Sequence, residues 1–312
     1  MDSSLESATD FIRVGASLMG EAEERGDIFF GHGTDNGLDE SIRLVLATLH
    51  LPLECPDTLL NGKLLESEKE AIQDNLRLRI ADRIPLPYIV NRAQFMGLSF
   101  YVDEQVLIPR SPIGELIEGH FSPWLTTAER ILEIGCGSGC IAIACAYEFP
   151  EATVDAVDIS NAALQVAQVN VDRHGLANQV RLLQSDLFSA LTLDGSAERY
   201  NLIVSNPPYV DRADLDEMPA EFRAEPMLAL EAGEDGLDLV VRVLSEAAAH
   251  LEDDGLLVVE VGNSQLALQQ LFPDVSWIWM EFEQGGDGVF ALGKDLLLTH
   301  HKEFQVEAER RR

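Results

Sequence analysis

Basic residues are scarce in this chain. Its 312 residues include 54 Asp and Glu but only 22 Lys and Arg, which gives a formal net charge of -32 at pH 7 and an isoelectric point near 4.3. Proteins that grip nucleic acid phosphates nonspecifically need clustered positive charge, so this composition argues against that function. The acidity indicates either a solvated, salt-adapted surface or the steering of a basic partner, and composition alone leaves both open.

Long apolar runs and cysteines are also scarce. No stretch reaches the roughly 18 to 20 apolar residues of a membrane span, and the N-terminus has no basic segment followed by an apolar one, so we expect a cytoplasmic protein. The four cysteines are Cys55, Cys136, Cys140 and Cys145, and their spacing contains no CxxC pair. We therefore expect small, buried, reduced cysteines and no metal site.

Helical periodicity dominates the first part of the chain. Apolar residues recur at helical spacing over residues 5–25, 39–50 and 66–84, with Ser67 and Glu70 as a predicted capping box. Two prolines then end the pattern. The sequence thus predicts a small helical bundle before any sheet begins.

The pattern changes to alternation after the prolines. We expect four parts: a helical domain at 1–87, a β-hairpin linker at 88–111 that turns at Asp103–Glu104, a catalytic domain at 112–295, and a tail at 296–312 without assignment.

From residue 130 onward, short apolar segments alternate with amphipathic ones. This alternation is typical of an α/β fold whose parallel strands are covered by helices on both faces. The last two apolar segments have no helix between them and predict an antiparallel hairpin. The sequence therefore predicts a Rossmann-like, doubly wound, mostly parallel sheet that closes in such a hairpin, with strands in the segments RILEIG, ATVDAVD, VRLLQSD, YNLIVSN and GLLVVEVG.

A glycine-rich loop follows the first of these strands and precedes a helical segment. A dinucleotide fingerprint would have a glycine where this chain has Cys140, and Glu133 puts negative charge where a phosphate would bind. The loop therefore favours a cationic ligand without phosphates, and S-adenosylmethionine, with its ammonium and sulfonium groups, fits. The candidate loop residues are Gly135, Cys136, Gly137, Ser138 and Gly139.

Two aspartates follow the next two strands. Asp158 is placed to accept both ribose hydroxyls of such a ligand, and Asp186, with Leu187 beside it, is placed at the amino edge of an adenine. Each aspartate alone could be an ordinary helix cap, but together with the glycine loop they predict a cofactor site.

The turn Asn206-Pro207-Pro208-Tyr209 follows the fourth strand. The prolines fix the backbone and, lacking N–H groups, leave carbonyls free for a ligand. The Asn206 side-chain oxygen and the Pro207 carbonyl could accept both N–H bonds of a planar NH2 group, with Tyr209 stacked on it. The turn thus predicts methylation of an amide or aromatic amine, by direct transfer without a metal or a covalent enzyme intermediate.

These residues resemble the class I S-adenosylmethionine methyltransferases, and among them the protein-glutamine methyltransferases of the translation machinery. The resemblance extends over nearly the whole chain: helical domain, linker, glycine loop and NPPY turn. It implies that Glu133, residues 135–139 and the two aspartates hold the cofactor, that Asn206 and Pro207 hold the glutamine amide, and that the helical domain contributes to substrate binding.

The linker is the main sequence feature that separates two substrates. The branch acting on peptide-chain release factors usually reads I-P-R-P-D-T-E, whereas this chain has IPRSPIGE at 108–115, which resembles the branch that methylates a glutamine of large-subunit ribosomal protein three. Arg110 in this segment is a candidate for ordering the substrate site. The favoured partner is therefore that basic ribosomal protein, free or in ribosome-assembly intermediates, with the release factors as the alternative.

Other classes fit less well. An amino-directed DNA methyltransferase shares the NPPY chemistry but needs a basic surface and a target-recognition region. A non-catalytic ribosome-assembly module would not need an intact cofactor loop and NPPY turn. A nicotinamide dehydrogenase would need different glycine spacing. We therefore expect no DNA partner and no membrane association.

Overall fold

The chain folds into two compact units. A computed structural model describes residues 4–126, 128–193, 195–283 and 285–312. The helical unit comprises Met1–Ala93, Val102–Glu104 and Met218–Glu225, and the sheet unit comprises Gln94–Tyr101, Gln105–Glu217 and Pro226–Arg312. In the described residues, no helix is both long and apolar enough to cross a membrane.

The helical unit has the helices that periodicity predicts. Its core is apolar and fully buried, with Phe11, Met19, Leu44 and Ile72 among its members. The apolar stripes of the long helices meet there, which is what stabilises short helices in water. The helices are α1 (Ala8–Glu24), α2 (Gly37–Thr48), α3 (Asp57–Leu60), α4 (Glu66–Ile80) and α5 (Leu86–Ile89).

The predicted capping box at Ser67 and Glu70 is wrong. Helix α4 begins at Glu66, so Ser67 already lies inside it, and the backbone N–H of Leu65 donates to the Glu68 carboxylate at 2.7 Å. The N–H of Leu64 donates to the Glu6 carbonyl at 2.8 Å, which fixes the chain just before the helix. Glu68, rather than Glu70, therefore caps the start of α4, and the long-range bond to Glu6 lies just before it.

The segment Met218–Glu225 belongs to the helical unit although it follows the NPPY turn in the chain. Buried Glu221 accepts hydrogen bonds from Arg83 at 2.7 Å, from Arg79 at 3.3 Å and from the Phe29 N–H at 2.9 Å. Arg79 also pairs with buried Glu40. This buried ion-pair cluster ties a distant piece of sequence to the helices.

The β-hairpin turns earlier than predicted. Strands β1 (Ala93–Phe95) and β2 (Leu98–Phe100) flank Met96 and Gly97, whose φ angles of 48° and 72° suit a tight hairpin turn. The predicted turn at Asp103–Glu104 is therefore wrong. The alternation of apolar residues continues past the hairpin, and periodicity alone does not show which pair of residues turns.

The sheet unit contains the predicted mostly parallel sheet, in the order β10-β11-β9-β8-β3-β4-β5. Neighbouring pairs from β9 to β5 are parallel, and β11 pairs antiparallel with both β9 and β10. The predicted α/β fold and its closing hairpin are confirmed. The strands are β3 (Arg130–Ile134), β4 (Thr153–Asp158), β5 (Val180–Gln184), β6 (Thr192–Leu193), β7 (Ser196–Ala197), β8 (Tyr200–Ser205), β9 (Leu251–Glu260), β10 (Ile278–Trp279) and β11 (Val289–Gly293).

Two buried apolar clusters belong to this unit, and the central strands contribute alternate residues to each: Ile131 and Val204 to one, Leu132 and Ile203 to the other. A sheet buried on both faces needs such near-continuous apolar strands. The helices of this unit are α6 (Ile113–Glu118), α7 (Cys140–Glu148), α8 (Asn161–His174), α9 (Arg212–Glu217), α10 (Asp238–His250), α11 (Gln265–Leu271) and α12 (Lys294–Arg310).

The tail that sequence left without assignment is helix α12. Its Leu297, Phe304 and Ala308 are buried in the second cluster, where Phe304 meets Phe272 edge to face with ring centroids 4.9 Å apart. Polar residues outnumber apolar ones in this segment, so its narrow apolar stripe is a weak sequence signal.

Candidate active site

A cavity in the sheet unit lies where the parallel strands end. The loops after β3, β4, β5 and β8 contribute to its lining, as expected for the carboxyl edge of an open α/β sheet. Further lining residues come from two other parts of the chain: Gln105, Val106, Leu107, Pro109, Arg110 and Ser111 from one, and Pro226, Leu228, Ala229, Leu239 and Arg242 from the other. The lining brings together most of the residues singled out from sequence: Arg110, Glu133, Gly135, Cys136, Gly137, Ser138, Asp158, Asp186, Leu187, Asn206, Pro207 and Pro208.

The glycine loop turns the chain sharply from β3 into α7. Gly135, Gly137 and Gly139 have φ angles of 73°, 51° and 76°, a region that L side chains rarely adopt. A Cβ at Gly135 or Gly137 would meet no protein atom within 4 Å, so the missing side chains leave open space. A Cβ at Gly139 would lie 3.3 Å from the Cβ of Ala167. Gly139 thus caps the N-terminus of α7 and lies close to α8, and it is not among the cavity-lining residues.

The side chain of Glu133, a residue of β3, lies at the start of helix α7. Its carboxylate accepts the N–H of Ala142 at 2.8 Å, and the side chain is buried. Burial, and then the nearby charge of Asp158, raises the pKa of Glu133 well above its ordinary value, against the effect of the Ala142 hydrogen bond. The helix end that would attract a phosphate therefore already holds a protein carboxylate.

Asp158 links the second strand end to the glycine loop. One carboxylate oxygen accepts the N–H of Gly137 at 2.9 Å and the other accepts that of Ser160 at 2.8 Å. Burial raises the pKa of Asp158 although both hydrogen bonds lower it. The backbone N–H of Ile159 also lowers this pKa, so three of the four lone-pair sites of the carboxylate have backbone donors and one is left for a ligand hydroxyl.

Asp186 is more exposed than Asp158 and has a cationic partner that sequence reasoning missed. Arg242 of helix α10 donates to its carboxylate at 2.8 Å, and both residues line the cavity. An arginine in an amphipathic helix looks like an ordinary surface residue in sequence. Its pairing with Asp186 becomes visible only in the structure, where α10 lies close to the end of β5.

The NPPY turn is held by its neighbours on both sides. The buried Ser205 hydroxyl donates to the Ile134 carbonyl at 2.9 Å, which fixes the end of β8 beside the glycine loop. Asn206, Pro207 and Pro208 line the cavity. Tyr209 is not among the lining residues, and its hydroxyl donates to Glu260 at 2.8 Å.

Arg110 and Ser111 form another part of the wall. One Arg110 guanidinium N–H donates to the Ile108 carbonyl at 3.2 Å, which folds the side chain back on its own segment. Ser111 donates to Glu260. Glu260 was not singled out from sequence, although a charged residue at the end of an apolar central strand is a usable signal.

The cysteines of the loop are inert in this environment. Burial raises the pKa of Cys140 to about 12 and that of Cys136 well above its ordinary value. Both thiols therefore stay protonated at neutral pH. No group of acidic, histidine or cysteine side chains among the described residues could hold a metal ion.

Three similarities to known proteins bear on this site. Residues 119–278 match the family model of the methyltransferase small domain. The chain is 44% identical over 304 residues to the ribosomal protein uL3 glutamine methyltransferase of Francisella tularensis, covering 96% of this chain and 94% of that protein. It is also 44% identical over 309 residues to the protein of the same name from Xylella fastidiosa, covering 98% of this chain and 96% of that one.

Among solved structures, a methyltransferase from Pyrococcus furiosus is 19% identical in sequence. It covers 74% of this chain and 99% of its own, with a TM-score of 0.47.

Proposed function

Because the chain belongs to the methyltransferase family that includes the ribosomal protein uL3 glutamine methyltransferases, we propose that it methylates the side-chain amide of a glutamine in uL3, large-subunit ribosomal protein three. The methyl donor in this proposal is S-adenosylmethionine. The observation that carries it is one cavity lined by both the glycine loop and the NPPY turn.

The lining residues fit this donor. The space at Gly135 and Gly137 admits a ligand close to the backbone, and the carboxylates of Glu133 and Asp158 favour positive charge and hydroxyl groups. Apolar Ile134 and Leu187 provide surface for a flat base. When bound, S-adenosylmethionine supplies an electrophilic methyl group on a positively charged sulfur.

In the proposal, the rest of the chemistry is positioning. An amide nitrogen is a weak nucleophile because its lone pair is delocalised. The Asn206 side-chain oxygen and the Pro207 carbonyl accept its two N–H bonds, which turns one face of the nitrogen toward the donor. The nitrogen forms its bond to the methyl carbon as the carbon–sulfur bond breaks, and an amide proton leaves to water. Tyr209, the last residue of the turn, is not among the cavity-lining residues and donates its hydroxyl to Glu260.

The proposed substrate explains the acidity of the chain. A ribosomal protein binds RNA and is therefore expected to be basic, and a protein of charge -32 attracts it over the range of the Debye length. We propose that residues 1–87 contribute to holding uL3, that residues 88–111 link them to the catalytic domain at 112–295, and that the enzyme works in the cytoplasm.

The test is to offer the enzyme a labelled methyl donor with purified uL3, a purified release factor and duplex DNA in parallel. The proposal predicts label in uL3, whether it is presented free or in assembling large subunits. Label in the release factor alone assigns the alternative substrate. Label in DNA alone replaces the proposal with amino-directed DNA methylation, and binding of the donor without transfer to any acceptor indicates a non-catalytic module.

A further inference from the structure

Glu260 ends strand β9 beside the NPPY turn. Strands β8 and β9 run parallel with Ser205 paired to Val259, so Glu260 stands one residue further along, level with Asn206. Only 5% of the residue is exposed. Its neighbours Val259 and Val261 are fully buried apolar residues. A carboxyl group here is costly unless its oxygens have partners.

Each oxygen of this carboxylate has its own hydroxyl donor. The Tyr209 hydroxyl donates to Oε1 at 2.8 Å and the Ser111 hydroxyl donates to Oε2 at 2.5 Å. Tyr209 is the last residue of the NPPY turn. Ser111 directly follows Pro109 and Arg110, which line the cavity together with Asn206. One side chain therefore joins two separate parts of the cavity wall.

Both donors are also held from a second direction. The Ser111 Oγ accepts the N–H of Ile113 at 3.2 Å, and the Tyr209 carbonyl accepts the Ser264 hydroxyl at 3.0 Å. A Cβ at Gly262 would lie 2.5 Å from a ring carbon of Tyr209, so this glycine makes room for the ring. The two hydroxyls therefore have fixed directions, and both meet at Glu260.

Stability alone does not account for this carboxyl group. Burial raises the pKa of Glu260, against the hydrogen bonds from Ser111 and Tyr209 and the positive charge of Arg110. Replacing buried charged groups by packed apolar ones is often neutral or stabilising, so an apolar residue would serve a purely structural role as well. A carboxyl group that hydrogen-bonds to both wall segments instead fixes the distance between them, and this positions the residues that line the cavity.

We infer that Glu260 is a positioning residue for the methyl acceptor, which sets the NPPY turn and the Pro109–Ser111 segment at a fixed spacing. The inference rests on the proposed function, because the acceptor amide is the group that Asn206 and Pro207 are proposed to hold. A small displacement of those acceptors slows transfer strongly, since reacting groups must be aligned closely.

The test compares Glu260→Ala with Glu260→Gln in the full-length enzyme. The alanine variant should lower kcat about 10- to 100-fold while the dissociation constant of the methyl donor, measured by calorimetry, stays unchanged. Glutamine should restore most of kcat, because its oxygen accepts from one hydroxyl and its NH2 donates to the other. Exposed Glu151→Ala is the matched control and should behave as wild type.

A second readout does not depend on the acceptor. Amide hydrogen exchange in Glu260→Ala should accelerate at Ile108, Arg110, Ser111, Asn206 and Tyr209, the residues of the two wall segments that carry an amide hydrogen, and stay unchanged in the glycine loop. If the alanine variant does not fold, Ser111→Ala and Tyr209→Phe each remove one hydroxyl and should each slow transfer about tenfold.

The outcomes separate this inference from the proposed function. The kinetic comparison uses whichever protein the wild-type enzyme methylates, so label in a release factor overturns the uL3 assignment and leaves the Glu260 test intact. If the wild type methylates neither uL3 nor the release factor, hydrogen exchange still tests whether Glu260 holds the two wall segments in place. Wild-type kcat in Glu260→Ala, unchanged exchange in both wall segments, or an equal loss in a folded Glu260→Gln overturns the inference.

Discussion

Two buried glutamates, one in each unit, are held in opposite ways. Glu221 in the helical unit accepts hydrogen bonds from Arg83, Arg79 and a backbone N–H. Burial alone would raise its pKa, but the Arg83 and backbone hydrogen bonds outweigh burial and lower it. Glu133 in the sheet unit accepts a backbone N–H at the start of α7, and burial raises its pKa.

The difference distinguishes two uses of a buried carboxylate. Where arginines neutralise it, as at Glu221, it ties the segment Met218–Glu225 to the helices and serves structure. Where burial and a neighbouring aspartate disfavour its negative charge, as at Glu133, no arginine among the described residues supplies the compensating cation, and a cationic ligand in the cavity would stabilise the charged form. Of the two glutamates, Glu133 lines the cavity and Glu221 packs within the helical unit.

Arg79→Ala should produce the largest loss of stability. It leaves Glu40 and Glu221 buried without one of their cations, so the free energy of unfolding should fall by about 3–5 kcal/mol. Denaturant unfolding measures this loss. The matched control is Arg25→Ala, which removes an exposed pair with Asp27 and should cause no measurable change. Equal effects of the two variants would contradict a structural role for the buried cluster.

Asn206→Ala should show the opposite behaviour, a loss of activity without a loss of stability. Removing one positioned hydrogen-bonding group should slow methyl transfer by about 10²–10³-fold, or about 2.7–4 kcal/mol of transition-state stabilisation. The exposed turn residue Asn178 provides the control variant Asn178→Ala, which should turn over normally. Near-normal turnover of Asn206→Ala in a rate assay would rule out this residue as a holder of the amide.

The two glutamates should give pH effects of opposite sign. A carboxyl group whose pKa is lowered on folding adds stability above its unfolded value, near 4.5, and this stability is lost as pH falls through the folded value. A carboxyl group whose pKa is raised makes its contribution below 4.5, and the contribution is lost as pH rises through the folded value.

Chemical denaturation across this pH range therefore compares wild type with Glu221→Gln and with Glu133→Gln. The advantage of wild type over Glu221→Gln should grow as pH rises from acid, and its advantage over Glu133→Gln should shrink. Parallel curves for the two variants would show that their surroundings do not differ as described.

The surface carboxylates should give the smallest effect. If the net charge of -32 steers a basic substrate, the methylation rate at low uL3 concentration should fall as salt is raised past about 0.1 M, where the Debye length is about 10 Å. The rate at saturating uL3 should change less, because encounter no longer limits it. A methylation rate that does not change with salt at low uL3 concentration would show that the acidic residues do not steer the substrate and only keep the surface solvated.

Much of the fold could be predicted from local sequence. Near-continuous apolar strands and amphipathic helices identify the parallel sheet, because burial on both faces requires them. Two details of the helices were not predicted. The start of α4 is capped by Glu68 and not by the Ser67–Glu70 pair. Helix α12 packs through a narrow apolar stripe, with Phe304 against Phe272, which is a weak signal in sequence. The hairpin turn at Met96–Gly97 could have been inferred from its glycine.

The site, like the fold, has parts that local sequence predicts and parts that it does not. The glycine loop and the NPPY turn could be found in sequence because consecutive residues carry their geometry. Arg242 could not be assigned, because its partner Asp186 is more than 50 residues away. Glu260 has one local signal, its position at the end of an apolar strand, but its partner Tyr209 is also more than 50 residues away. Side chains that support a site from another element carry little local signal.

Peptide mass spectrometry of uL3 after incubation with the enzyme and S-adenosylmethionine, with Asn206→Ala in parallel, tests the proposed methylation of a glutamine amide most directly. The proposed function predicts one added methyl group on the side-chain amide of a glutamine with the wild-type enzyme, and unmodified uL3 with the variant under the same conditions. A methyl group on lysine, arginine or a carboxylate of uL3, or equal modification by the variant, would contradict it.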